Sequence, residues 1–496
     1  MTDELPQSGP IRVPGTDRVY YRRLILIVLL SLLAMTLMAI SAINVALPTI
    51  EETIGASPAD LQWMLSGYAL AFGIVLVAAG RVGDVMGRST CFVIGVSVFT
   101  LASLACALSH DPMTLNAARV VQGVGAGIAS PQVNGMIVQY FDGHRRARAF
   151  AMFGMTVSVS VAVAPLLTGL SIGAFGPDLG WRVSFFWNVP FGIAAVVLAF
   201  RWLPFGQERE RRIARAEGRK VSTHIDLDPV GMALLSLAVL CVMAPFMLKQ
   251  AISFLLIPAG IGLLAAWAAW ERRYARIGRE PMVDLSLFEY RSFTHGMAVS
   301  GTQFIGGTSI FVILALYLQS GIGASALGVG LLGVPNAIAS ALSSMWSGER
   351  VLYNGRRTVV TAFVIYIVGI LACIVMGWFT DPAHGGLDYR WLTLPLVLCG
   401  WGVGTVNSST QTLSQQHIPA PIAGTAGAVK QVAERIGTAL GNAMITAVFF
   451  SLTAVSWSQG FMGAFAVIAV VLVLAFGWAL FDLRTLGDPG PPPEAA

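Results

Sequence analysis

Fourteen predominantly apolar stretches follow one another along the chain, each of about twenty residues or more, enough at a helical rise of 1.5 Å per residue to cross a bilayer. Their bounds are 24–47, 61–80, 90–109, 113–136, 149–172, 182–203, 228–248, 251–270, 294–320, 325–346, 358–379, 391–413, 423–450 and 460–483. Each is read as a membrane-spanning helix. Charged residues make up 11% of the 496 and hydrophobic residues 55%, whereas a soluble domain carries about 25% charge. Too little polar surface remains to face water, which excludes an ordinary soluble enzyme. The first run is longer than a signal-peptide core and closes with Pro48-Thr-Ile instead of a small-residue cleavage site, so it is expected to be a retained span.

The basic residues fall on one side of this pattern. Arg22 and Arg23 precede the first run; Arg81 and Arg88 follow the second, and Arg145, Arg146 and Arg148 the fourth. A charged stretch from Glu208 to Lys220 follows the sixth, Arg272, Arg273, Arg276, Arg279 and Arg291 the eighth, and Arg350, Arg356 and Arg357 the tenth. The opposite connections carry Glu51, Glu52, Asp60, Asp111, Asp178, Asp381 and Asp388. The excess of arginine on one side predicts a multi-pass protein of the cell (inner) membrane with both termini cytoplasmic. The formal charge of +5 is therefore read as membrane orientation, with no nucleic acid among the partners. The link from Gln207 to Asp228 is either a surface helix against anionic lipid or a solvated charged linker.

The expected organisation is a cytoplasmic tail over 1–23, a six-helix bundle over 24–203, a cytoplasmic linker over 204–227 and two inserted helices over 228–270. A cytoplasmic loop over 271–293, a second six-helix bundle over 294–483 and a disordered tail over 484–496 complete it. The two bundles read as a duplication. Gly80, Gly87 and Arg88 recur at the same spacing as Gly348, Gly355 and Arg356; the alternating glycines 123, 125 and 127 recur as 400, 402 and 404; Gly154 and Ala164 recur as Gly427 and Gly437. Parallel repeats of this kind place a substrate site between the halves near the membrane midplane, although small residues at such spacings also serve plain helix packing.

Five cysteines, Cys91, Cys106, Cys241, Cys373 and Cys399, lie inside apolar runs without metal or redox spacing. The histidines are scattered, and no nucleotide loop, nucleophile elbow or His-Glu-x-x-His occurs. No cofactor, no metal and no ATP hydrolysis are expected, which leaves an ion gradient as the energy source.

The turn Gly80-Arg-Val-Gly-Asp84-Val-Met-Gly87-Arg88 matches the cytoplasmic loop motif of the major facilitator superfamily. Further matching pieces are Asn44-Val-Ala-Leu-Pro48, Leu61-Gln-Trp63 with Tyr68, Arg119-x-x-Gln122-Gly123-x-Gly125, and Trp181-Arg182 with Asn188-Val-Pro190-x-Gly192. From about Leu24 to the end of the fourteenth run the chain resembles the fourteen-helix drug/proton antiporters of that superfamily, the EmrB/QacA type. The resemblance implies an all-α integral membrane protein with the major facilitator fold, two six-helix bundles plus two inserted central helices. It also implies a secondary active, proton-coupled exporter of hydrophobic or amphipathic compounds, with Arg119 in proton movement and the Gly80, Asp84, Gly87, Arg88 turn holding the bundles in one state. Two positions depart from the family. Ala39 stands where relatives often have an aspartate, and the antiporter motif is reduced to Ala164-Pro165-Leu-Leu-Thr168-Gly169, which keeps the proline kink and Gly169.

A guanidinium a few residues into a span is costly unless it is paired and faces a protein cavity, so Arg119 is either a functional group or a side chain snorkelling to the outer interface. Lys430, Glu434 and Arg435 in the thirteenth run offer a proton-coupling group near mid-membrane, or else an internal ion pair that lets both partners be buried. Asn44, Trp63, Tyr68, Gln122, Asn134, Gln303, Tyr317, Asn336 and Asn407 are candidate cavity groups, each also open to a role as a helix contact. With no mid-membrane acid in the first six runs, the cargo is expected to be a small neutral, anionic or lipid-like compound. Protons and membrane lipids complete the expected partners, and the protein is expected to act as a monomer. An importer or facilitator of a lipid or metabolite on the same fold, and a non-transporting receptor or scaffold, are the competing readings; a receptor would call for a soluble output domain that the tails are too short to supply.

Overall fold

The computed structural model describes residues 10–12, 18–205, 227–248, 251–380 and 386–488, most of them helical. The charged link at Glu208 to Lys220 and the proline-rich end after Gly490 lie outside the described residues. Six helices form the first half: α1 (Arg22–Ile54), α2 (Pro58–Met86), α3 (Arg88–Leu108), α4 (Pro112–Tyr140), α5 (Gly143–Phe186) and α6 (Asn188–Trp202). Two inserted helices follow, α7 (Pro229–Leu248) and α8 (Leu256–Arg276). The second half contains α9 (Arg291–Gly307), α10 (Ile310–Leu316), α11 (Ala326–Phe379), α12 (Thr393–Gln415), α13 (Ala423–Thr453) and α14 (Trp457–Leu486).

The fourteen apolar runs fall on these helices in order. Two chain reversals lie inside helices rather than in loops. In α5 the bend is at Gly176, whose φ of 80° suits glycine, ahead of Pro177; in α11 it is at Asn354, with φ −125° and ψ 34°. Among the described residues ten helical stretches are long and apolar enough to cross a membrane, and two of them, Gly143–Trp202 and Gly328–Phe379, each hold two of the runs. The central helices α4 and α12 are not among the ten, because they carry glycine and amide residues where neighbours enclose them. The segment before α1, expected as a plain tail, includes a short hairpin: β1 (Pro10–Arg12) pairs antiparallel with β2 (Val19–Tyr21), and Ile11 and Tyr20 rest on the first bundle's core.

Short turns at the outer ends are set by local chemistry. Ser57 and Asp60 form a reciprocal capping box at the start of α2, and Asp111 accepts the Thr114 amide at 2.9 Å at the start of α4. Within each bundle a glycine row lets a central helix sit against two neighbours. A Cβ on Gly123 or Gly127 would collide with the backbone of α2 at Tyr68 and Phe72, and one on Gly125 would stand 2.5 Å from the Phe99 amide nitrogen of α3. In the second bundle Gly400 and Gly404 press on the α11 backbone at Asn336 and Ser340, and Gly402 on Tyr366. The duplicated glycines thus do the same packing work twice.

Between the bundles, α2 and α4 lie against α13, while α5 lies against α11 and α12. Helix α7 fills the groove beside α2 and α13, where Ser236 Oγ donates to the Ile74 carbonyl at 2.9 Å, and α8 packs outside α7. Gly400→Val should destabilise the protein by about 2 kcal/mol or more, since backbone at Asn336 cannot yield as a side chain does. Gly169→Val, where a Cβ meets nothing within 4 Å, should leave stability within about 0.5 kcal/mol. Thermal unfolding in detergent, followed by alkylation of the buried cysteines, checks both.

Candidate functional site

At the arginine-bearing end the α2–α3 turn is built into the junction between bundles. Gly87 has φ 126° and ψ 121°, a conformation for which an L side chain is strained, and it redirects the chain so that Arg88 begins α3. Asp84 then has five donors. Oδ1 accepts from Arg88 Nε at 2.9 Å, Arg88 Nη2 at 2.6 Å and the Gly424 amide at 3.1 Å; Oδ2 accepts from the Thr425 amide and Thr425 Oγ1, each at 2.8 Å. The carboxylate therefore sits on the first turn of α13, where free amides and the helix dipole favour negative charge. Arg88 continues the tie by donating to Gly135 O at 3.0 Å, to Gln139 Oε1 at 2.7 Å and to the Ala420 carbonyl across the interface. Gly80 makes the approach possible: its Cβ would stand 3.0 Å from Ala428 Cβ and from Gly424 O.

The second copy of the turn differs. Gly348 packs against Ala151 of α5, the counterpart of Gly80 against Ala428, but Leu352 replaces the acid. The sequence, with Leu352 where Asp84 stands, gives a one-sided lock whose charge lies in the first half, and Arg356 is engaged inside its own bundle instead. Asp482 of α14 reaches Arg356 Nε at 2.8 Å and His295 Nδ1 at 2.9 Å, so the second bundle carries its own buried ion pair, internal to that bundle. Other ties at this end are Arg146 to the Gln415 and Gln416 carbonyls at 3.4 and 3.5 Å, and Tyr353 to His144 at 3.3 Å.

Further along the interface Arg119 is 1% exposed and Gln122 0%. Arg119 donates to Gln122 Oε1 at 2.6 Å, to the Met64 carbonyl at 3.1 Å and to the Ala39 carbonyl at 3.4 Å, and Gln122 Nε2 donates to Ser103 Oγ at 2.7 Å. The guanidinium does not snorkel. It reaches a backbone oxygen at the position where family members often have an aspartate. Its carbon lies 4.4 Å from the centre of the Tyr68 ring, Tyr68 and Phe72 are stacked 6.3 Å apart, and Arg435 of the second bundle lies 4.8 Å from the centre of Phe72. Lys430 Nζ pairs with Glu434 Oε1 at 3.3 Å and with Gln411 Oε1, while Gln411 Nε2 donates to Asn134 Oδ1 at 3.0 Å. Arg119, Tyr68 and Gln122 thus form one set inside the first bundle that meets Arg435 of the second through Phe72, while Asn134, Gln411, Lys430 and Glu434 form a second set across the interface.

Other expected cavity groups lie elsewhere. Tyr317 bonds Thr380 Oγ1 at 2.9 Å and stacks on Phe461 at 4.6 Å inside the second bundle, and Asn336 Nδ2 donates to the Leu396 carbonyl at 2.7 Å between α11 and α12. Both are helix contacts, because each polar atom is satisfied within its own bundle. Gln303 is buried in that bundle as well, Asn407 is half-buried, Asn44 is exposed, and Trp63 is 45% exposed toward the other end. Pro165 lies within continuous helix, and Gly169 faces open space.

Sequence reasoning passed over Gln411, buried in α12, and the pair Asp228 and Glu271 on the inserted helices. Asp228 accepts from the Gly231 amide at 2.9 Å and Trp270 Nε1 at 2.8 Å, Glu271 accepts from Trp267 Nε1 at 2.7 Å, and both carboxyl groups close on Gly231. The spacing Asp228-x-x-Gly231 opening a run was the available signal.

The sequence profile described as the Major Facilitator Superfamily matches residues 29–442. The probable actinorhodin transporter of Streptomyces coelicolor is 31% identical over 462 residues, which are 90% of this chain and 76% of the relative. The puromycin resistance protein of Streptomyces alboniger is 28% identical over 483 residues, 93% of this chain and 91% of that one. A solved structure of the proton:xylose symporter XylE superposes with a TM-score of 0.65 at 13% identity, covering 94% of this chain and 97% of the other, a likeness of fold. The chain belongs to the major facilitator superfamily, as a multi-pass membrane transporter with two six-helix bundles and two helices inserted between them.

Proposed function

We propose that this transporter exports hydrophobic or amphipathic organic compounds by alternating access, in exchange for protons. The observation that carries the reading is the Asp84 tie across the bundles, a closed gate at the end where arginine accumulates. The positive-inside rule assigns that end to the cytoplasm, with both described ends of the chain on the same side. The conformation is then closed to the cytoplasm, the one in which cargo leaves. Relatives named for puromycin resistance and for tetracenomycin C resistance and export support the direction.

The division into bundles at 24–203 and 294–483 with the insert at 228–270 is proposed to be the division that moves: each bundle rocks as a body about the interface. Gly80, Asp84, Gly87 and Arg88 hold the closed end, while Pro165 and Gly169 shape α5, which runs along the partner bundle. Glu434, 16% exposed at its side chain and 3.3 Å from Lys430, is proposed as the proton carrier. Arg119 and Arg435 set the field around it. The protein is proposed to work as a monomer in the cell membrane, since each chain contains both halves of the interface.

Asp84→Asn should weaken the closed end by about 1.5–3 kcal/mol, the worth of a hydrogen bond to a charged group, which corresponds to a population shift of about tenfold or more. A cysteine placed at Ala428 would then react with a membrane-impermeant maleimide about ten times faster, and an unchanged rate would count against the lock. In proteoliposomes with an imposed pH gradient, Arg119→Ala should abolish efflux while leaving the melting temperature within a few degrees. Glu434→Gln should remove the dependence of flux on the gradient; efflux by this variant that still scales with the gradient would remove Glu434 from coupling.

A further inference from the structure

The centre of the interface holds more positive than negative charge. Arg119 from the first bundle and Arg435 from the second approach the Tyr68–Phe72 stack, and Glu434, beside Arg435 in α13, is paired with Lys430. Arg119 is satisfied by an amide and by carbonyl oxygens, none of which neutralises it. Arg435 faces the Phe72 ring, and two guanidinium groups thus flank the Tyr68–Phe72 stack, one from each bundle. Glu434 serves both Lys430 and Arg435, and Arg119 has no carboxylate beside it among the described residues; such an excess of buried positive charge is costly in a membrane protein and favours a ligand that supplies the missing charge.

A second observation points to the same kind of ligand. The Tyr68 side chain is 2% exposed and its hydroxyl has no hydrogen-bond partner among the described residues, although it lies within the electrostatic influence of both Arg119 and Arg435. A buried phenol that lacks a partner is a donor awaiting an acceptor. Between two cations that acceptor is best an anionic oxygen. Around it stand the buried rings of Tyr68 and Phe72, each with a guanidinium over one face, and Trp63, 45% exposed, lies on the same helix nearer the opposite end.

We propose that Tyr68, Arg435 and Arg119 form an anion-binding centre between the bundles, and that the cargo is an aromatic or otherwise amphipathic acid carried as its anion. Arg435, only half-buried, meets the acidic oxygen first; the Tyr68 hydroxyl donates to it, and Arg119 stabilises it from the far side of the ring. The cargo's ring system lies against the aromatic faces of α2. Cationic drugs are disfavoured because Glu434 already has Lys430 as its partner. This inference rests on the transporter reading for the word cargo, but the site itself does not depend on direction. Exchange of an outgoing anion for an incoming proton draws on both the membrane potential and the pH gradient.

The test uses full-length protein in nanodiscs of zwitterionic lipid and two probes that share a ring system. These are 1-anilinonaphthalene-8-sulfonate, an anion, and N-phenyl-1-naphthylamine, its neutral counterpart, each measured against protein-free nanodiscs. The unaltered protein should bind the anion about tenfold or more tightly than the neutral probe. Arg435→Gln should remove most of that preference, Arg435→Lys should keep most of it, and Tyr68→Phe should lower anion affinity about threefold to tenfold. Equal affinity of the unaltered protein for the two probes overturns the proposal, whether or not the variants fold. So does a preference that survives both Arg435→Gln and Tyr68→Phe. If the preference holds and follows Arg435 while no export occurs in inside-out vesicles, the exporter reading fails and the anion site stands.

Discussion

One carboxylate at the end of α2 holds the first turn of a helix in the other half of the molecule, and the observed conformation depends on that contact. Asp84 accepts from two backbone amides, a hydroxyl and a guanidinium at once, and its side chain is 2% exposed. A buried carboxylate satisfied by so many donors is stable where it lies and costly to withdraw unless other donors replace them. That makes the contact two-valued: formed, with Gly80 against Ala428 and Arg88 against Ala420, or broken, with water in its place. Its counterpart at Gly348 against Ala151 has Leu352 in place of the acid, and the polar ties beside it are Tyr353 to His144 and Arg146 to the Gln415 and Gln416 carbonyls. The carboxylate tie between the bundles therefore lies on one side of the pseudo-symmetry, and it is this tie that we propose as the gate.

Much of this was legible in the chain because membrane helices advertise themselves. Apolar runs of span length, arginine on one side and two sets of alternating glycines point to fourteen crossings and their duplication, and the same glycines prove to be points of close helix approach. What was not legible arises from contacts between residues distant in sequence. The partner of Arg356 comes from Asp482, more than a hundred residues away, and no local pattern announces it. Tyr317 and Asn336 looked like cavity groups because buried polar side chains in membrane helices often are; their hydrogen bonds turn inward to Thr380 and Leu396. Arg119 stands out by the cost of a guanidinium within a span, but that it is buried instead of snorkelling follows only from the contacts of α1, α2 and α4 around it.

The departure at Ala39 takes on physical meaning in the structure. Arg119 meets a carbonyl there in place of a carboxylate, so the first bundle contributes charge without compensation, and the compensating acid of the interface, Glu434, is committed to Lys430. An interior of this sign suits a different cargo from one lined with acids. The stack of Tyr68 and Phe72 joins the two bundles' guanidinium groups through aromatic faces, worth about 0.5–2 kcal/mol each, which keeps the centre assembled while the ends exchange.

In the proposed cycle the two ends move in opposite senses about that centre. Pulsed electron-spin distance measurements on two doubly labelled proteins in nanodiscs address this most directly, one with labels at Asp142 and Asn354 at the arginine-bearing end, the other at Leu179 and Trp391 at the opposite end. On shifting from alkaline to acidic pH, or on adding a bound probe, the account predicts that one distance lengthens as the other shortens. Two distances that change together, or a fixed distance at the Asp84 end under every condition, would contradict it.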